Sequence, residues 1–444
     1  MSSRYFWEGS LLTHTPGLAV GLFVTAAAVG AQVSRQAIPV LRPLGPIIAR
    51  TSEPIQRVSQ LRVLSDGRIL VNDNARLRVL LFDSSLAHAR SIIDTTGATR
   101  KAYGDHSGAL FPYTGDSSLF LDQTSAALLV VDPAGALGRI LAAPPNPLQP
   151  RFPSVYLTNP LVSFDRQGHF VFEQARGIVR RDLAGLALPV AGGVAPDTVP
   201  LVRIGLLTRR EDTIALLTVS ASFAATAQRI PVANPLPEAD QWTMLKDGTV
   251  AIVRAHDYHI DWVAPNGTVA SSPPIAHEWI HLTDSLKAAI LDSARRADSL
   301  SAQAVIDSQG GIDAMVKARL AAAPSRAGQP PRTSSQLAAS ILSTLSGPWV
   351  PPWALPDYVP PFAPASGPAD RPVKADADDE VWIRVRLPGT QGGTEVYDVV
   401  NRQGVLTDRI RLPGETWIVG FGPGVVYLAA REGAGIQVAR ARIR

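Results

Sequence analysis

Units of about 40 to 45 residues, each built from short apolar strands separated by Gly turns, predict an all-β chain folded as a six-bladed β-propeller. Three observations carry that expectation. Asp-Gly pairs at Asp66-Gly67 and Asp247-Gly248 stand between apolar runs, the strongest short-range hairpin signal a sequence offers. The strand, turn, strand pattern of residues 242–268 recurs along the chain. The composition agrees: 37 prolines and 35 glycines mark many turns, 46% hydrophobic residues supply core, and charged residues stand at only 18%. One four-stranded sheet cannot bury both faces, whereas blades stacked round an axis can. An open β-sandwich pair fits the repeat spacing less well.

Residues 1–31 read as a targeting segment. Residues 16–33 are apolar or small throughout, after a polar start with Arg4, and Val29-Gly30-Ala31 before Gln32 fits a small-x-small cleavage site. Two readings stay open, a cleaved secretory signal and a retained anchor at the short limit for spanning a bilayer. Either predicts an exported, periplasmic protein, anchored in the second case to the outer face of the inner membrane. Residues 32–54 form a Pro-rich lead-in. Its runs Ala37 to Leu41 and Pro46-Ile47-Ile48 are candidates for a strand that closes the ring.

Residues 55–282 supply blades one to four. Residues 60–83 hold a Ser65-Asp66-Gly67 turn between strands, and residues 109–135 give three strands, with a fourth at 137–142. A looser third unit covers 160–219, and the fourth is the 242–268 stretch. Residues 373–444 supply blades five and six, with units at 379–412 and 415–443. The last unit has three clear strands, so a propeller needs a fourth from the lead-in.

Residues 283–372 interrupt the repeats between blades four and five. Thr283-Asp284-Ser285 is a helix N-cap signal. Helical spacing then covers 286–300, 304–323 with a break at Gly310-Gly311, and 335–345. The Pro-rich stretch 347–364 carries Trp349, Trp353, Tyr358 and Phe362, which either pack back on blade five or form a partner-binding arm.

Leu64 to Val71 with Leu81-Phe82-Asp83, the 242–267 stretch, and 397–419 together resemble the NHL-like six-bladed β-propellers of exported bacterial proteins. The resemblance implies a fold and no particular activity. The irregular third unit and the long insertion depart from it.

Absence of cysteine excludes disulfides, thiolate metal sites and cysteine nucleophiles. A net charge of +4 with scattered basic residues gives no nucleic-acid footprint. His277-Glu278-Trp279-Ile280-His281 matches H-E-x-x-H, which needs both histidines on one helical face. Here prolines precede it and the N-cap follows. In a strand, residues four apart lie roughly 13 Å from each other, too far to share zinc. Asp376, Asp378 and Glu380 suggest a calcium loop but lack its glycine and read as a solvated turn. His256, Asp257 and His259, and Asp105 with His106, would matter only if the fold gathered them in the channel, as in calcium-dependent lactonase-type propellers.

The expectation is therefore a non-enzymatic interaction or assembly module with protein partners, of the kind an accessory subunit of a membrane-embedded energy-converting or transport complex would be. No catalytic residue, metal or cofactor is assigned. The alternatives are a metal-assisted hydrolase or lactonase-type enzyme and a carbohydrate- or peptide-binding sensor.

Overall fold

A computed structural model of the chain describes residues 37–99, 102–144, 162–165, 167–174, 180–181, 187–188, 198–219, 234–322, 333–346, 353–362, 371–387 and 394–444. The leader at 1–31 lies outside them. Among the described residues no helix is long and apolar enough to cross a membrane.

The described chain is a six-bladed β-propeller. Blade one is Val58–Val63, Ile69–Asp73, Arg78–Phe82 and Ala89–Ile93; blade two is Ala109–Pro112, Ser118–Asp122, Ala127–Val131 and Leu137–Ala142. Blade three is Ser163–Phe164, His169–Glu173, Thr198–Gly205 and Glu211–Thr218, with the small hairpin Arg180–Arg181 and Ala187–Leu188 between its second and third strands. That excursion is why the third unit looks irregular in sequence. Blade four is Gln241–Met244, Val250–Arg254, His259–Val263 and Val269–Ser271. Blade five is Val373–Ala375, Val381–Val385, Val396–Val400 and Leu406–Arg411. Its innermost strand thus precedes the Asp379 start expected for the fifth unit, because three residues are too few to show an alternating pattern.

Blade six takes Thr416–Gly422, Val425–Glu432 and Gly435–Arg442 from the C-terminus and Ile47–Arg50 from the lead-in. Ile47 pairs antiparallel with Ala441, and Arg50 with Ala439. This is the closing strand, and of the two candidate runs it is the one starting at Pro46. The other run forms no strand; Ile38 and Leu41 pack against the core between blades four and five. Arg42–Pro43 adds a parallel strand beside Ile410 and Arg411 of blade five. The Arg42 guanidinium forks onto Asp408, with Nε at 3.0 and 2.9 Å from the two oxygens, and Nη1 donates to the Ile443 carbonyl at 2.9 Å. The lead-in therefore clasps the last two blades.

Hydrophobic clusters fill each gap between neighbouring blades. Leu70 and Leu81 of blade one meet Leu110 and Phe120 of blade two; Phe111 and Leu121 meet Phe164 and Phe170. Val171 and Leu201 meet Trp242 and Ile252, and Val253 and Ile260 meet Val381 and Ile383. Trp382 and Tyr397 meet Ile418 and Leu428, and Tyr427 and Val438 meet Ile69 and Val71. Each such side chain, fully buried, contributes about 1.5–3 kcal/mol. The blades' alternating faces find partners only around the closed ring.

The two faces of the disc differ. On one face, first strands join second strands by tight turns. Gly67 and Gly248 sit at φ +86°, and their N–H groups bond back to the Leu64 and Leu245 carbonyls at 3.0 and 3.1 Å. Only glycine adopts that backbone without strain. On the other face, where the innermost strands begin, the connections are long: 174–197, 219–240, 272–372 and 386–395. We call these the turn face and the loop face. Long connections on a rigid scaffold are where binding groups concentrate.

The insertion follows blade four. Helix α1 spans Asp284–Ser308, α2 Ile312–Ala322 and α3 Ser334–Ser346. Thr283 caps α1, its hydroxyl accepting the Leu286 N–H. The first helix runs on through 301–303, where the sequence suggested a break, and ends before Gly310-Gly311. Ala302, Val316, Leu337 and Ile341 form its small core.

Candidate functional site at the mouth of the central channel

The innermost strands surround a cavity of about 1500 Å³. Each of these strands pairs on one side only, so its free edge offers backbone polar groups to the channel. Six cationic side chains and five carboxylates lie along the described wall.

Three of those carboxylates hold the chain in place near the turn face. Asp116 accepts the Ser65 N–H and hydroxyl, both at 2.8 Å. Asp165 accepts the Gln167 and His169 N–H groups and the His169 ring. Asp376 accepts the Asp378 and Glu380 N–H groups at 2.8 and 2.9 Å and the Trp382 indole N–H at 3.0 Å. The KADADDE cluster is thus the first turn of blade five. Asp376 is buried within it, while Asp378 at the tip of the turn is exposed.

The loop-face end is built differently. Arg384 is only 7% exposed and donates from Nη1 to Glu395 Oε1 at 2.8 Å. The Tyr397 hydroxyl donates to Glu395 Oε2 at 2.8 Å. Among the described wall carboxylates, Glu395 is the one set in the mouth by side-chain donors alone; Glu415 lies exposed at the rim. Across from it Arg371 donates to Ser163 Oγ and the Val162 carbonyl at 3.2 and 3.0 Å, with its guanidinium 5.4 Å from the centre of the Trp242 ring. Burial pulls Arg371 down to about 10, with Glu173 opposing that change. Glu173 accepts the Trp242 indole N–H at 2.8 Å, and burial pushes its carboxyl up. Arg386 stands two residues beyond Arg384, just past the end of its strand.

The residues singled out in the sequence fall elsewhere. His277 to His281 is extended chain crossing the loop face, neither helix nor blade strand. The His277 ring packs edge-on against Tyr258 at 5.3 Å, and His281 pairs with Tyr358. Burial and the nearby Arg409 charge bring His277 down to about 4. Glu278 lies 3.9 Å from Arg409, which is held by Asp398. His259 is wedged between Asp257 and Asp261, at 2.6 and 3.1 Å, on blade four. The Asp105 N–H bonds to Thr124 and His106 lies exposed beside it. No histidine lines the described channel wall. Among the described residues no group of three or more His, Asp or Glu side chains is placed to hold a metal ion.

Of the four aromatics, Trp353 and Phe362 are buried, Phe362 pairing with Val385 in the core between blades four and five. Tyr358 is 47% exposed and stacks edge-on with the 40% exposed Trp279 at 6.1 Å. Trp349 lies outside the described residues.

Arg371, Arg384 and Glu395 were not found in the sequence. One signal was there: Val381-Trp382-Ile383-Arg384-Val385-Arg386 places arginines at alternate positions of an otherwise apolar strand. A charge in such a strand has to be held by the fold.

No family model matches the chain, and no curated protein matches it. Solved structures do. A gluconolactonase from Xanthomonas campestris is 10% identical, with 90% of this chain and 99% of that one covered and a TM-score of 0.36. Virginiamycin B lyase from Staphylococcus aureus is 7% identical, covering 92% and 98%, with a TM-score of 0.33. A DUF4221-family protein from Bacteroides vulgatus is 10% identical, covering 92% and 98%, with a TM-score of 0.43. The expectation that the protein is not an enzyme is withdrawn: it rested only on finding no catalytic motif in the sequence, and the similar structures include a lactonase, a lyase and a luciferin-regenerating enzyme. At these identities the likeness speaks for the fold alone and leaves the reaction to the site. What the chain belongs to, on this footing, is the six-bladed β-propeller fold.

Proposed function

We propose that the protein is a propeller enzyme acting on a small organic molecule at the loop-face mouth of its channel, with ester or lactone hydrolysis as the reaction the groups there suit. The observation that carries this reading is Glu395, a carboxylate on the channel wall gripped by Arg384 and Tyr397. Each of its oxygens keeps a further lone pair. Glu395 would take a proton from an attacking water as the water adds to the carbonyl carbon. The oxyanion that forms would sit beside the Arg384 guanidinium, and the leaving alkoxide would recover the proton. A positioned base of this kind contributes typically 10²–10⁴-fold, and charge stabilisation adds to it. The described side chains do not fit a bound metal ion, so no step runs through one.

The test is turnover of a panel of lactones and carboxylic esters. The reading expects at least one to be hydrolysed, and Glu395→Gln to slow it about 100-fold with the fold intact by circular dichroism. Equal rates for the variant and the parent would remove Glu395 from the chemistry.

A second reading, contact with a protein partner through the arm, is favoured by the exposed Trp279 and Tyr358 rings at its base. Tyr358→Ala would then reduce co-purification of a partner from native membranes or extracts. Unchanged co-purification would count against the contact.

A further inference from the structure

We infer that the molecule bound at the channel mouth carries an oxyanion, a carboxylate or a phosphate, and that Arg386 receives it. The inference rests on the channel reading above and deepens it by naming the substrate class.

Arg386 directly follows the Val381–Val385 strand, and its backbone N–H is tied to the Pro361 carbonyl at 3.0 Å. Its Nη2 donates to the Pro235 carbonyl at a long 3.3 Å. Its Nη1 is shielded from solvent and has no hydrogen-bond partner. Among the described residues no carboxylate lies within ion-pair distance of Arg386. The Glu395 carboxylate is committed to Arg384 and Tyr397. A buried guanidinium N–H left unmade is costly, and one facing no counter-charge is more so.

The neighbourhood makes the demand sharper. Arg384 lies two residues back, within the Val381–Val385 strand that Arg386 follows. Burial, and then the Arg384 charge, both push Arg386 below its ordinary value. Arg386 thus stands next to a second guanidinium, that of Arg384 on the channel wall. An incoming oxyanion would supply the missing acceptor for Nη1 and offset the surplus charge, since charge-assisted bonds to guanidinium are the strong ones. The insertion, through Pro361, fixes the Arg386 backbone, and the connection leading into blade four, through Pro235, holds one side-chain nitrogen. Bracing of that kind holds a recognition group in position. Arg386 is accordingly a binding residue and not one of the reacting groups.

The experiment is calorimetric titration of the full chain with inorganic phosphate and, separately, with acetate, at constant ionic strength. At least one is expected to bind saturably, and Arg386→Gln to weaken it about tenfold. Arg386→Lys, which keeps the charge and controls for folding, is expected to recover part of the affinity. Phosphate binding alone points to phosphate esters and acetate binding alone to carboxylates; both outcomes support the inference. If neither probe binds, or if Arg386→Gln binds as the parent does, the inference is wrong. The channel reading survives that failure if a neutral lactone is still hydrolysed in a Glu395-dependent way. It fails separately if Glu395→Gln leaves turnover unchanged while the oxyanion still binds through Arg386.

Discussion

Replacing Asp398 by alanine removes the acceptor at the centre of a fully enclosed polar knot between blades four and five. Asp398 is 0% exposed and takes Arg409 Nε at 2.7 Å, Arg409 Nη2 at 3.3 Å and the Tyr258 hydroxyl at 3.1 Å. Arg409 is 3% exposed and Tyr258 0%, so water cannot take the carboxylate's place without opening the interface. Breaking a buried pair by removing one partner costs about 3–5 kcal/mol, and the stranded Tyr258 hydroxyl adds about 1 kcal/mol more. Set against a net stability of about 5–15 kcal/mol for a folded domain, a loss of about 4–6 kcal/mol is a large share. Guanidinium unfolding followed by tryptophan fluorescence would read it as a fall in midpoint. The paired change Asp398→Leu with Arg409→Met should recover most of the loss, because the charge that needed a partner has gone as well. A loss under about 1 kcal/mol for Asp398→Ala, the range of an exposed pair, would refute the claim that this knot is closed to water.

Other consequences follow from the clasp, the turns and the turn-face charges. Arg42→Ala removes the fork onto Asp408 and the bond to Ile443 and should cost about 2 kcal/mol, with faster exchange of the amides of 47–50 and 435–442; unchanged exchange would mean the ring is held elsewhere. Gly248→Ala meets ordinary space, with Pro265 Cγ 3.4 Å from the added carbon, but sits at φ +86°, so it should destabilise by about 1 kcal/mol by thermal melting. Arg402 reaches Asp247 at 2.8 Å and Asp379 at 3.2 Å. Burial alone would raise Asp247, yet bonds from Arg402 and Thr249 bring it from 3.8 to about 2. The stability this contributes is therefore complete above the unfolded value and lost as pH falls toward the folded one. Solvent screening holds it to no more than about 1 kcal/mol. Arg402→Ala should therefore lower stability at neutral pH by up to about 1 kcal/mol and flatten its fall with pH over that interval.

Much of the architecture was legible because it rests on local chemistry. Gly67 and Gly248 announce turns whose backbone only glycine adopts freely, and Thr283 announces the start of α1. The need for a fourth strand in blade six follows from counting, and the lead-in supplies it. The short strand Val373–Ala375 hid because three residues carry no period. The run of α1 through 301–303 hid because Ser301 and Gln303 are tolerated on a helix's exposed side. The site was less legible for a different reason. Arg384 and Glu395 meet within blade five without a motif to mark them, and Arg371 meets Ser163 and Glu173 of blade three only when the blades assemble. The H-E-x-x-H run shows the converse. Its residue types are striking in sequence alone, but its extended backbone sends His277 onto Tyr258 and His281 onto Tyr358.

The account turns on where a small molecule binds. A crystal structure of the protein with a non-cleavable ester or lactone analogue tests that most directly. The account predicts the ligand at the loop-face end of the channel, its carbonyl beside Glu395 and Arg384 and any anionic group on Arg386. Ligand bound away from the channel, or at its turn-face end against Asp116 and Asp165, would contradict it.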